Sequence, residues 1–116
     1  MRHLVKKATL DRKTAARRSL MANLAESLII YEKIKTTKAK AKAVRSLVER
    51  LVTKAKANDL AARRQLMRVL YTDNAIKKML EVIGPRYAKR QGGYTRITLL
   101  GNRKGDAGEE AMIEFV

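Results

Sequence analysis

The sequence predicts an α+β fold, a two-layer single domain with helices packed on a small mixed sheet in the order helix–strand–three helices–two strands. Three observations predict it. Apolar residues recur at three- and four-residue spacing in four segments, the period of an amphipathic helix. Two-residue alternation runs through three short segments, the period of a half-buried strand. Turn and cap residues separate the segments, at Asn58-Asp59, Thr72-Asp73, Gly84-Pro85 and Gly92-Gly93. The chain has 116 residues, 46% of them hydrophobic, enough for one modest core and not for two.

Residues 1–10 show neither period. They read as a basic arm, either a frayed terminus or a segment that orders along RNA. The single RNA-binding domain is expected over residues 11–116. Asp11 or Thr9 offers the cap of a first helix, whose face Leu20, Leu24 and Leu28 make apolar beside Met21 and Ala25. Ile30 to Thr36 alternates as a strand, and Thr36 or Thr37 supplies the hydroxyl cap of the next helix. There Val44, Leu47, Val48, Leu51, Val52 and Ala55 form the clearest core stripe, with Arg45 and Glu49 placed to pair on the exposed side.

Asn58-Asp59 opens a third helix over Leu60–Tyr71, with Leu66, Met67 and Leu70 inward. Thr72-Asp73 opens a fourth, with Ile76, Met79, Leu80 and Ile83 inward. Gly84 is expected to end it and Pro85 to prevent its resumption. Tyr94 to Leu100 alternates, with Thr95, Ile97 and Leu99 on one face and Tyr94 with Arg96 on the other. A Gly-containing loop then leads to a closing strand over Ala111–Val116, antiparallel to the one before.

Charge points to the partner. The formal net charge is +16, far beyond what solubility needs, and it implies a polyanion. Residues 1–45 carry 13 basic and 3 acidic side chains; residues 84–105 carry 6 basic and none acidic; residues 106–116 carry 4 acidic and none basic. Arg12, Arg17 and Arg18 crowd the start of the first helix, and Lys38, Lys40 and Lys42 that of the second. Cations there oppose the helix dipole, so a phosphate partner relieves both starts. In Gly84–Ile97 guanidinium groups suit phosphates, tyrosine rings suit unpaired bases, and Gly92-Gly93 lets a ligand backbone come close.

Other classes fare poorly. There is no Cys, and the one His, His3, has no second ligand or relay partner, so neither a metal site nor a nucleophilic relay assembles. No phosphate-binding loop or dinucleotide fingerprint is present. Neither cofactor, small-molecule substrate nor enzymatic activity is expected. No stretch approaches the roughly 20 apolar residues of a membrane span, and no secretory signal is visible, so a cytoplasmic protein without membrane attachment is expected. The residues alone reach a basic single-domain nucleic-acid-binding protein. They favour RNA, because Gly-Gly-Tyr beside arginines suits irregular RNA more than a duplex groove. An architectural DNA-binding protein is the alternative, and a membrane-surface protein a more distant one.

Several stretches carry a resemblance. Gly84-Pro85-Arg86-Tyr87 followed by Gln91-Gly92-Gly93-Tyr94-Thr95-Arg96-Ile97 resembles the signature of the bacterial large-subunit ribosomal protein L17 family. Met1-Arg2-His3, Ser27-Leu28-Ile29, Glu32 to Thr37, Lys40-Ala41-Lys42, Arg103-Lys104-Gly105-Asp106 and Ile113 to Val116 match its other motifs in order. The arm departs from the family's denser Arg/Lys run, with Leu4 to Leu10 in its place. The resemblance implies a structural protein of the bacterial large ribosomal subunit, ribosome-bound in the cytoplasm. Its implied partners are large-subunit ribosomal RNA near the polypeptide exit tunnel and neighbouring ribosomal proteins. Carried onto the matching motifs, the implied RNA contacts are Arg2, His3, Lys6 and Lys7 in the arm, Lys38, Lys40 and Lys42 at the second helix, Arg86, Lys89, Arg90, Tyr94 and Arg96 in the signature, and Arg103 and Lys104 in the last loop. Tyr94 is the expected stacking residue. Arg12, Arg17 and Arg18 rest on the dipole argument instead.

Overall fold

The computed structural model describes residues 13–116. The expected arm, with Arg2, His3, Lys6 and Lys7, lies outside them, as do Arg12 and the caps proposed at Thr9 and Asp11. The order is α1 (Thr14–Tyr31), β1 (Lys33–Thr37), α2 (Lys38–Ala55), α3 (Leu60–Met67), α4 (Asp73–Lys78), a π-helical turn (Met79–Ile83), α5 (Gly84–Arg86), β2 (Thr95–Asn102) and β3 (Glu109–Phe115). The α+β class and the two layers are as the periodicity predicts.

The core stripe of α2 sits at the centre. Ala41, Val44, Val48, Leu51, Val52 and Ala55 are all buried, against Leu28 and Ile29 of α1 on one side and Ile113 of β3 on the other. Thr37 caps α2, its hydroxyl accepting from the Lys40 amide at 3.3 Å. Asp59 caps α3, accepting from the Ala62 amide at 2.7 Å. Thr72 stands at the N-cap of α4 without a side-chain bond. Instead Glu26 of α1 accepts the Tyr71 and Thr72 amides, so α1 fixes where α4 begins.

Several expectations are corrected. The sheet is wholly antiparallel, not mixed: its order is β1-β3-β2. Periodicity carries no strand direction, so only the pairing partner reveals it. One row across the sheet, Ile34, Ile113 and Ile97, faces the helices. The next, Lys33, Glu114 and Arg96, faces outward. The acidic last strand therefore lies between two basic ones rather than at an edge.

Second, α1 runs on to Tyr31 through the start of the expected strand. It ends at Glu32, which adopts the left-handed conformation (φ 66°) and donates its amide to the Leu28 carbonyl at 2.7 Å. No Gly marks that stop. Third, Gly84 does not end a helix. It is itself helical (φ −55°), buried, and so close to α2 that a Cβ there would lie 3.0 Å from the Ala55 carbonyl oxygen. The wider π turn before it leads the chain into Pro85. The third helix also stops short of the expected Tyr71, and Met67 is exposed rather than inward.

Candidate nucleic-acid interface

The signature stretch is anchored to α2 by one carboxylate. Glu49 accepts from the Gly93 amide at 3.1 Å, the Thr95 hydroxyl at 2.9 Å and Arg45 at 3.2 Å. Gly93 has a positive φ of 63°, a conformation that Gly adopts without a Cβ clash. Tyr94 follows into the interior and is 1% exposed. Its hydroxyl meets Thr53 at 3.4 Å, Lys56 at 3.2 Å and the Arg90 carbonyl at 3.2 Å, and its ring lies 5.2 Å from that of Tyr87. The bond to Thr53, with help from the Gly92 backbone and Lys56, holds its pKa below the ordinary tyrosine value. Tyr94 thus offers no ring face to a base, and the expected stacking role is corrected. Arg96, on the solvent side, does not share a face with it.

The expected cations divide into two groups. Arg86 bonds Glu32 and lies 6.0 Å from the Tyr87 ring. Arg96 pairs with Glu114 at 2.8 Å, and Lys38 with Glu109 at 3.5 Å. Arg103 grips Asp106 inside the last turn, with one bond at 3.0 Å, and holds its carboxyl far below the usual range. These four are engaged within the fold. By contrast, Lys89, Arg90 and Lys104 have exposed side chains and no carboxylate partner among the described residues, and the Arg18 and Lys42 side chains are likewise exposed and unpaired. Lys40 and Arg17 are half-buried.

The described carboxylates are almost all committed. Glu26, Glu49 and Asp59 hold backbone amides. Glu32, Asp73, Asp106, Glu109, Glu110 and Glu114 hold cations. Glu81 is exposed with no such partner among the described residues, so what faces solvent unopposed is mainly, not wholly, positive.

Sequence reasoning missed one concavity. A groove of about 840 Å³ opens between α1, α2 and the segment after α3. Arg17, Arg18 and Lys42 line it, but so do Arg50, Arg68 and Tyr71, which no motif singled out. Arg50 and Arg68 reach it from elements that only the fold brings together.

Compared with known proteins, residues 20–116 match the family described as Ribosomal protein L17. Over 116 residues the chain is 53% identical to "Large ribosomal subunit protein bL17" of Solibacter usitatus (strain Ellin6076), covering all of this chain and 77% of that protein. It is 51% identical over 117 residues to the bL17 of Hydrogenobaculum sp. (strain Y04AAS1), covering all of this chain and 99% of that one. Against the bL17 of Rickettsia bellii (strain OSU 85-389) the identity is 48% over 116 residues and 82% of that protein.

Proposed function

The chain belongs to the ribosomal protein L17 family, and from that membership we propose that it is a structural constituent of the large ribosomal subunit. It binds large-subunit ribosomal RNA near the polypeptide exit tunnel and works in the cytoplasm as part of the ribosome. It is a structural protein rather than an enzyme. The observation that supports the RNA contact most is the division of charge. Most described carboxylates, Glu81 excepted, close on partners within the chain, and cations such as Arg18, Lys42, Lys89, Arg90 and Lys104 are left outward. Such a surface neutralises phosphates and releases their counterions. No helix among the described residues is long and apolar enough to cross a membrane. Leu99 and Leu100, exposed beside the bulge in β2, offer an apolar patch to a neighbouring ribosomal protein.

The test is co-sedimentation of the tagged chain with cell ribosomes split into subunits, across a salt series. Stoichiometric recovery with the large subunit at moderate salt is expected. Recovery on chromosomal DNA, with none on the large subunit, would overturn the reading in favour of a DNA-compacting protein.

A further inference from the structure

Arg17 and Arg18 come from α1, Lys42 and Arg50 from α2, and Arg68 and Tyr71 from the segment after α3. Among the described lining residues there is no carboxylate. The floor is apolar, with Met21, Leu47 and Val69 between the cationic walls. Tyr71 is 64% exposed, and its amide is fixed by Glu26. The ring is thus presented to solvent from a backbone held by α1.

Each feature narrows the occupant. Cationic walls without acids call for an anion. At about 840 Å³ the groove is far larger than one phosphate and within the range that ligand pockets span. An apolar floor is poorly used by a duplex, whose bases are stacked away and whose phosphates stop at the rim. A flat bilayer does not enter a concave groove. A single-stranded RNA segment fits all of these: its backbone follows the walls, and an unstacked base lies on the floor against an aromatic face.

We propose that the groove between α1, α2 and the Arg68–Tyr71 segment holds a single-stranded segment of ribosomal RNA, with a splayed-out base stacked on Tyr71. The backbone phosphates lie against Arg50 of α2 and Arg68 of the segment after α3. This rests on the reading of the chain as an RNA-binding protein and adds where and how one contact is made.

The test uses the full chain and a transcript of the large-subunit ribosomal RNA, with binding measured across a salt series. Tyr71→Ala is expected to weaken binding by about 5- to 100-fold and Tyr71→Phe to restore it, since stacking needs the ring and not the hydroxyl. Arg50→Gln with Arg68→Gln is expected to lower the log–log salt slope by about 1.4, each lost phosphate contact on a single strand removing about 0.7. Thermal melting of each variant checks that the fold is intact. If wild-type chain binds the transcript and the Tyr71→Ala and double variants bind equally well with the same slope, the groove assignment is wrong while the RNA-binding reading stands. If wild-type chain fails to bind, both fall. A photo-crosslinker at position 71 that, in assembled large subunits, joins a protein and not RNA also overturns the assignment.

Discussion

Tyr94 and Glu32 are both engaged by partners far along the chain, and each supports a measurable expectation. Tyr94 is buried with its hydroxyl among Thr53, Lys56 and the Arg90 carbonyl. We predict that Tyr94→Phe lowers stability by about 1 kcal/mol, the net value of a typical buried hydrogen bond, and leaves affinity for ribosomal RNA unchanged. Denaturant unfolding and filter binding on the same preparation separate the two effects, and a selective loss of affinity would mean that the Tyr94 hydroxyl itself contacts RNA. Glu32 closes on Arg86 and, at 3.2 Å, on Lys78. The Arg86 bond holds its pKa below the ordinary carboxylate value of 4.5. A carboxylate depressed in the folded state contributes its stability above the unfolded pKa and loses it as pH falls through the folded value. Wild-type melting temperature should therefore be flat from about pH 6 to 8 and fall below about pH 4.5, and Glu32→Gln should shrink the fall. The change will be small, because the Glu32 side chain is 40% exposed and solvent screens the pair.

At the scale of elements, the segment from α4 to α5 governs how the signature loop leaves the helical layer. Gly84 lets this segment cross α2 closely, and the atoms a Cβ would meet are backbone, the Ala55 and Met79 carbonyl oxygens at 3.0 and 3.1 Å. Neither can rotate away as a side chain would. Gly84→Ala should therefore cost about 1–3 kcal/mol, as overpacking typically does, despite the better helix propensity of Ala. Unfolding in denaturant measures it, and a stabilised variant would show that α2 and α5 yield easily. This crossing was not legible in the sequence, where Gly-Pro reads as a helix stop; a buried helical Gly and a terminating Gly look alike until the neighbour is known. The amphipathic helices were legible, because burial of α2 on its Val44–Ala55 stripe is a local pattern. So was the antiparallel closing pair, since β2 and β3 are joined by a short loop. The central place of β3 was hidden because its second partner, β1, lies more than 70 residues upstream (Lys33 opposite Glu114).

For the whole molecule, the excess of +16 is plain in the sequence, but which cations remain outward is not. Arg86 meets Glu32 across 54 residues and Arg96 meets Glu114 across 18, so motif position alone cannot tell an internal ion pair from a free contact. Arg50 and Arg68 show the converse, an outward pair assembled by folding. The same excess sets the response to salt. Raising NaCl from 0.05 to 0.5 M acts on two opposed terms in the free chain. Ion pairs such as Arg96–Glu114 at 2.8 Å and Lys35–Glu110 at 3.1 Å weaken, but each contributes at most about 1 kcal/mol at the surface. Repulsion among like charges acts over the 43 × 33 × 25 Å body and involves many more pairs. These separations exceed the screening length, about 10 Å at 0.1 M and about 3 Å at 1 M, so repulsion is the term salt removes more completely. We therefore predict that the melting temperature of the free chain rises with salt, by about 4–8 °C for each kcal/mol of repulsion removed, while affinity for ribosomal RNA falls over the same range. Thermal melting beside filter binding at matched salt reads both. Melting that falls with salt would mean that the ion pairs outweigh the repulsion, and that the free fold bears its charge without need of a polyanion.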